Sequence, residues 1–129
     1  SETLVKDIIK NKFKPQEDKK RISLLFADIF KAWKKELNKP NKIYNEDLYS
    51  KITDLNSAIE SEKEKELNRI TTIKRSVNVP DKDEKINVIN YHKIVYEFYK
   101  FVLMNILKPS LDYNFNKNNE DFILKKKEE

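Results

Sequence analysis

Few side chains in this chain can do chemistry. Its 129 residues include one histidine, His92, no cysteine and no glycine, set among 22 carboxylates and 27 lysines and arginines. An imidazole acting as general base or metal ligand needs partners that orient it. Three and four residues away on a helix, His92 has Val88, Ile89, Val95 and Tyr96, and none is a carboxylate. A triad-type orienter is therefore missing from its own helix. The di-iron bundle motif needs Glu three residues before His, where Ile89 stands. A zinc site would have to be completed by carboxylates alone, an unusual ligand set. His92 reads as a packed or half-exposed helix residue, with no metal and no cofactor expected.

Among the carboxylates, Glu60, Glu62, Glu64 and Glu66 alternate with Lys63 and Lys65. On a helix this spacing reads as an exposed, ion-paired face worth a few tenths of a kcal/mol per favourable pair. A working acid pair would need a cleft whose apolar wall raises one pKa, and no cleft is foreseen. Without glycine there is no phosphate loop, dinucleotide fingerprint or calcium-loop turn. Without cysteine there is no disulfide, thiolate zinc site, iron–sulfur cluster or thiol nucleophile. With so few nucleophile-activating groups, a non-enzymatic role is the expectation.

What remains is charge and aromatic surface. The net charge is +5, and residues 1–45 carry 12 Lys or Arg against 6 Asp or Glu. In that third, Lys20, Lys31 and Lys35 lie opposite the Trp33 face of a helix, with Lys34 at the edge. Lys10, Lys12, Lys14 and Lys19 extend the field if the first segment folds nearby. Such a row fits a solvated face, an acidic protein partner or, as the alternative, nucleic acid. Leu24 and Ala27 interrupt it, and no aromatic interleaves to stack bases. Three arginines against many lysines, with abundant Asn and Ile, match an AT-rich coding bias.

Aromatic residues concentrate at Tyr91, Tyr96, Phe98, Tyr99 and Phe101. They form part of a segment that is apolar nearly all round, from Ile86 to Leu107. A helix of that kind is normally central. In so small a chain few other segments can cover it, so either its neighbours enclose it or a partner does. Tyrosine suits such an interface because it combines large area with a polar tip.

The elements that position these residues follow from proline placement and apolar period. Pro15, Pro40, Pro80 and Pro109 fall between long helical stretches, where a residue lacking the amide donor belongs. A short first helix runs from Leu4 to about Phe13. A second runs from near Pro15 to about Leu37, with Ile22, Phe26, Ile29, Phe30, Trp33 and Leu37 on one face. Asn45 is a good N-cap for a third from 46 to about 76, whose seam is Leu48, Ile52, Leu55 and Ile59, fades through 60–66 and resumes at Leu67, Ile70, Ile73 and Val77. A continuous helix is preferred to a break near Ser61, since Glu and Lys are good helix formers and no Gly or Pro intervenes. Asp81 with Glu84 sketches a capping box for a fourth, ending near Leu107 before Pro109. After it, Leu111, Tyr113 and Phe115 are expected to pack back.

No strand alternation or hairpin turn occurs. The reading is an all-α bundle of about four main helices: residues 1–115 as one domain and 116–129 as a polar, flexible tail. No stretch approaches the ~20 apolar residues of a membrane span. The lack of cysteine fits an intracellular protein, and a start at Ser1 is compatible with a removed leader or a larger parent. The function expected is an interaction domain, a subunit or excised module of a larger assembly. It docks a partner helix or peptide, with the basic face steering an acidic one. Homo-oligomerisation through the long helix and nucleic-acid binding through the lysine face are the other expectations.

Overall fold

The computed structural model describes residues 15–40 and 43–128, and among these every regular element is helical. Helix α1 spans Pro15–Leu37, α2 spans Glu46–Arg75 and α3 spans Lys82–Val102. A π turn over Leu103–Leu107 leads directly into α4, Lys108–Glu128. The segment from Leu4 to Phe13, with Lys10, Lys12 and Lys14, lies outside the described residues.

Local chemistry explains these boundaries. Proline fits the first position of α1, and Glu17 and Asp18 in its first turn complement the positive end of the helix dipole. The Asn45 side chain accepts the Leu48 amide at 3.0 Å and caps α2. No residue in α2 breaks the backbone ladder, so its 30 residues form one rod about 45 Å long. Its far end is closed from outside: the Lys82 ammonium donates to the carbonyls of Lys74 at 3.0 Å and Ser76 at 2.7 Å. Those carbonyls belong to the turn that a helix leaves unsatisfied.

Two expectations are corrected. Asp81 makes no capping bond; its backbone is left-handed, φ 51° and ψ 44°, and its carbonyl receives the Lys85 amide at 3.0 Å. With no glycine in the chain, an aspartate takes the tight reversal that enters α3. Pro109 does not end the helical path either. The residues bounding the π turn, Val102 and Lys108, are both right-handed helical, so α3 and α4 make one rod. Proline supplies no amide and crowds the carbonyl four residues back. The wider i→i+5 turn just before it, closed by the Lys108 amide on Leu103 O, lets the rod absorb that misfit. Residues 116–128 continue α4 with their described side chains exposed.

Cross-helix contacts fix the arrangement. Helix α1 runs antiparallel to α2, with Asp18 on Arg69 and Arg21 on Glu62 at one end and Glu36 on Asn45 at the other. The α3–α4 rod runs back antiparallel to α2, through Lys63 on Glu97 and Tyr49 on Asp112. It is therefore parallel to α1, touching it through Ser23 on Tyr99 and Trp33 on Ser110. The main core joins Ile22 and Ile29 to Leu48, Ile52, Leu55 and Ile59, and to Tyr96, Leu103, Leu107 and Leu111. A smaller cluster, Ile70, Ile73 and Ile89, closes the end near the α2–α3 loop. Each such aliphatic side chain stabilises by about 1.5–3 kcal/mol on burial. Of the residues expected to pack back after Pro109, Leu111 is buried and Phe115 meets Tyr44 edge-on, while Tyr113 stays exposed.

Candidate functional site

The two apolar clusters are separated by a buried polar layer. The inward stripe of α2 steps Ile59, Glu62, Glu66, Ile70, Ile73, so two carboxylates occupy core positions. Glu62 is 2% and Glu66 0% exposed, which corrects the reading of these two as solvated, while Glu60, Glu64 and Lys65 do face solvent. Leu67 and Val77, expected on the seam, point to solvent instead. The seam continues in phase through charged residues, which a search for apolar period passes over.

Cations from two helices answer these carboxylates. Arg69 donates to Glu66 Oε1 at 3.0 Å and to Asp18 Oδ2 at 3.3 Å. Glu62 Oε1 receives Arg21 and Lys65, each at 3.3 Å. Opposite them, α3 contributes His92, 3% exposed, and the fully buried Tyr96. His92 Nδ1 stands 3.9 Å from Glu66 Oε1. The carboxylate that His92 lacks on its own helix thus comes from α2. Four atoms of the layer have no hydrogen-bond partner among the described residues: Glu62 Oε2, Glu66 Oε2, His92 Nδ1 and Tyr96 Oη.

Burial pushes the Glu66 carboxyl up to about 7; Arg69 opposes this, while Glu62 and Asp18 add to it. His92 is pushed down, first by burial and then by the cations Lys19 and Arg69. Tyr96 is pushed up by burial and by the neighbouring carboxylates. All three shifts favour neutral groups. Acid–base catalysis needs access to substrate, and Glu66 has none. Among the described residues no three His, Asp or Glu side chains gather as a metal site. No helix among them is long and apolar enough to cross a membrane.

The outer surface divides the aromatic residues expected to bind a partner. Tyr96 lies in the core, and Tyr99 is half-buried, stacked on Phe26 at 4.4 Å and bonded to Ser23 at 2.9 Å. These two hold α3 to its neighbours. Tyr91, Phe98 and Phe101 face outward at 57%, 60% and 57% exposure, joined by Ile94 at 68%. Their spacing of three, four and three residues draws one stripe along α3. Helix α3 is therefore covered on one side and open on the other. An element apolar all round carries no phase in its pattern, so its buried and open faces could not be told apart from sequence.

On α1 the lysine row Lys20, Lys31, Lys34 and Lys35 is exposed. Aromatic rings do lie next to it in space: Lys34 sits 5.7 Å from the Phe30 ring centre and Lys19 5.4 Å from that of Tyr91. The contact with Tyr91 joins residues of different helices, beyond the reach of any local pattern. Lys19, Asn87, Val88, Tyr91 and His92 line an open pocket where α1 meets α3. The chain matches no protein-family model, no curated protein and no solved structure.

Proposed function

We propose that this chain is a docking module whose α3 stripe receives an amphipathic helix bearing carboxylates. The observation that carries this reading is the row Tyr91, Ile94, Phe98, Phe101, each side chain more than half exposed. A row at helical spacing fits the i, i+3, i+7 anchors of a helix laid along it. Contiguous apolar surface on a small folded chain marks an interaction site. Lys19, set against Tyr91 at one end of the stripe, and the exposed lysines of α1 favour an acidic partner, chiefly by speeding encounter. A second copy docking through α2 is less favoured, since Leu67 is the one large apolar side chain of that helix exposed among the described residues. Nucleic acid remains the alternative occupant of the lysine row.

Selection from a displayed library of helical peptides tests the reading. Peptides that bind the full chain should carry an apolar stripe flanked by Asp or Glu. Phe98→Ala should weaken them roughly ten- to hundredfold, as loss of an aromatic anchor does, with little change on added salt. Lys31→Glu with Lys35→Glu should slow association and leave dissociation nearly unchanged. Recovery of no helical peptide, together with duplex binding that falls steeply with salt and fails in the charge-reversed variant, transfers the function to nucleic acid.

A further inference from the structure

The pocket shared by Lys19, Asn87, Val88, Tyr91 and His92 abuts the stripe, because Tyr91 belongs to both. Its polar side chains include an ammonium, an amide and an imidazole, and among the described residues no carboxylate lines it. A fixed ammonium with further donors beside it suits an anion. The state of the imidazole decides whether it is one of those donors, and the buried layer behind it supplies the answer.

His92 Nδ1 is sealed from solvent and faces Glu66 Oε1 at 3.9 Å. Glu66 is itself fully buried, with Oε2 unpartnered. A carboxyl so desolvated keeps its proton up to about neutral pH. Arg69 already occupies Oε1, so the proton falls to the unpartnered Oε2, and the unpartnered Nδ1 in the same buried layer is an acceptor for it. Two orphaned groups then satisfy one another. An Nδ1 that accepts leaves the ring proton on Nε2, the nitrogen on the side of the ring away from that contact. Burial, and after it the cations Lys19 and Arg69, oppose a second ring proton, so the imidazole stays neutral and donates through Nε2 alone.

We propose that this pocket is the anion-accepting end of the docking surface: it takes one Asp or Glu side chain of the docked helix, bound by the Lys19 ammonium and by a His92 Nε2–H that Glu66 holds in place. The proposal rests on the docking reading and names the partner group that its charge preference requires. Lys19 and His92 are binding residues; Glu66 is a positioning residue acting through the imidazole.

His92 is the only histidine, so its ring signals in nitrogen-15 NMR of the full chain are free of overlap. At pH 6, where Glu66 is largely protonated, they should report a neutral ring protonated at Nε2. Sodium acetate should shift them while sodium chloride of equal ionic strength does not, and Lys19→Met should abolish the acetate response. Glu66→Gln retains an N–H for Nδ1 and should keep the tautomer. Glu66→Leu should mix the two tautomers and lose the response. In a selected acidic peptide, changing the anchoring carboxylate to its amide should weaken binding about tenfold against the natural chain and not against Lys19→Met. An Nδ1–H or doubly protonated ring, or equal shifts with acetate and chloride, overturns the proposal. Peptide binding that still depends on Phe98 but ignores the carboxylate overturns this pocket alone, whereas loss of all helical-peptide binding removes the docking reading beneath it.

Discussion

Glu66 and His92 pull stability in opposite directions as pH changes. The fold favours the protonated form of Glu66, about 7 against an ordinary 4.5. Below pH 4.5 folded and unfolded chains both hold that proton and it costs nothing. Between 4.5 and 7 the unfolded chain releases it first, and stability falls by up to roughly 3 kcal/mol before levelling off. His92 has the reverse sign. Its folded pKa lies below 6.5, so its contribution is complete above 6.5 and is lost as pH falls through the folded value. The groups facing this pair are Asp18 and Lys19 from α1, Glu62 and Arg69 from α2, and Tyr96 from α3. In chemical denaturation from pH 4.5 to 8, Glu66→Gln should remove the alkaline loss and leave an acid-sensitive protein. His92→Gln should remove the acid loss and leave a base-sensitive one. Parallel curves for both variants and the natural chain would show that the layer does not titrate with the fold.

At the scale of the helix, the entry to α3 is where backbone geometry and residue type are most at odds. Asp81 is the one residue without a glycine's freedom that takes a positive φ among the described residues. A left-handed conformation costs an ordinary residue roughly 1–2 kcal/mol, less for aspartate. Asp81→Val should therefore destabilise by about 1–2 kcal/mol, while Asp81→Gly should be neutral or stabilising, both read from thermal midpoints. Had Asp81 been a side-chain cap, Glu84 would also matter, and Glu84→Ala should instead cost little.

The contrast with Asn45 shows how far an element can be read from its residues. Asn45 and the 4, 3, 4 steps from Leu48 to Ile59 carry enough local information to place the start and inner face of α2. Pro15 and the Phe26–Trp33 face do the same for α1. The signal fails at Glu62 and Glu66, whose burial depends on cations arriving from elsewhere on α2 and from α1. It fails at Pro109, because a π turn is a response to strain rather than a pattern of residue types. The all-α class was plain; the candidate site was only half visible. Phe98 and Phe101 could be picked out, but Ile94 and Lys19 belong to it through the phase of α3 and the approach of α1.

For the whole molecule, the polar layer divides the interior into unequal parts. The larger cluster draws on α1, α2, α3, the π turn and α4. The smaller one is Ile70, Ile73 and Ile89, with Val79 and Ile86 partly covering it, and takes nothing from α1. Fewer apolar contacts mean a lower free energy for local opening. The same end carries the strained Asp81 and the loop joining α2 to α3, so it should open while the rest of the bundle stays folded. Native-state hydrogen exchange should show amides of 70–75 and 86–90 exchanging faster than those of 52–59 and 99–107. Ile52→Ala should lower global stability by about 2–5 kcal/mol and accelerate all of these amides together. Ile73→Ala should accelerate chiefly the first set. Because His92 and Tyr91 lie on the margin of this weaker end, the pocket is mechanically coupled to it. A helix that binds the α3 stripe and reaches the pocket should slow exchange at 86–90 more than at 99–107. Uniform protection across α3 would mean that the occupant stops short of His92.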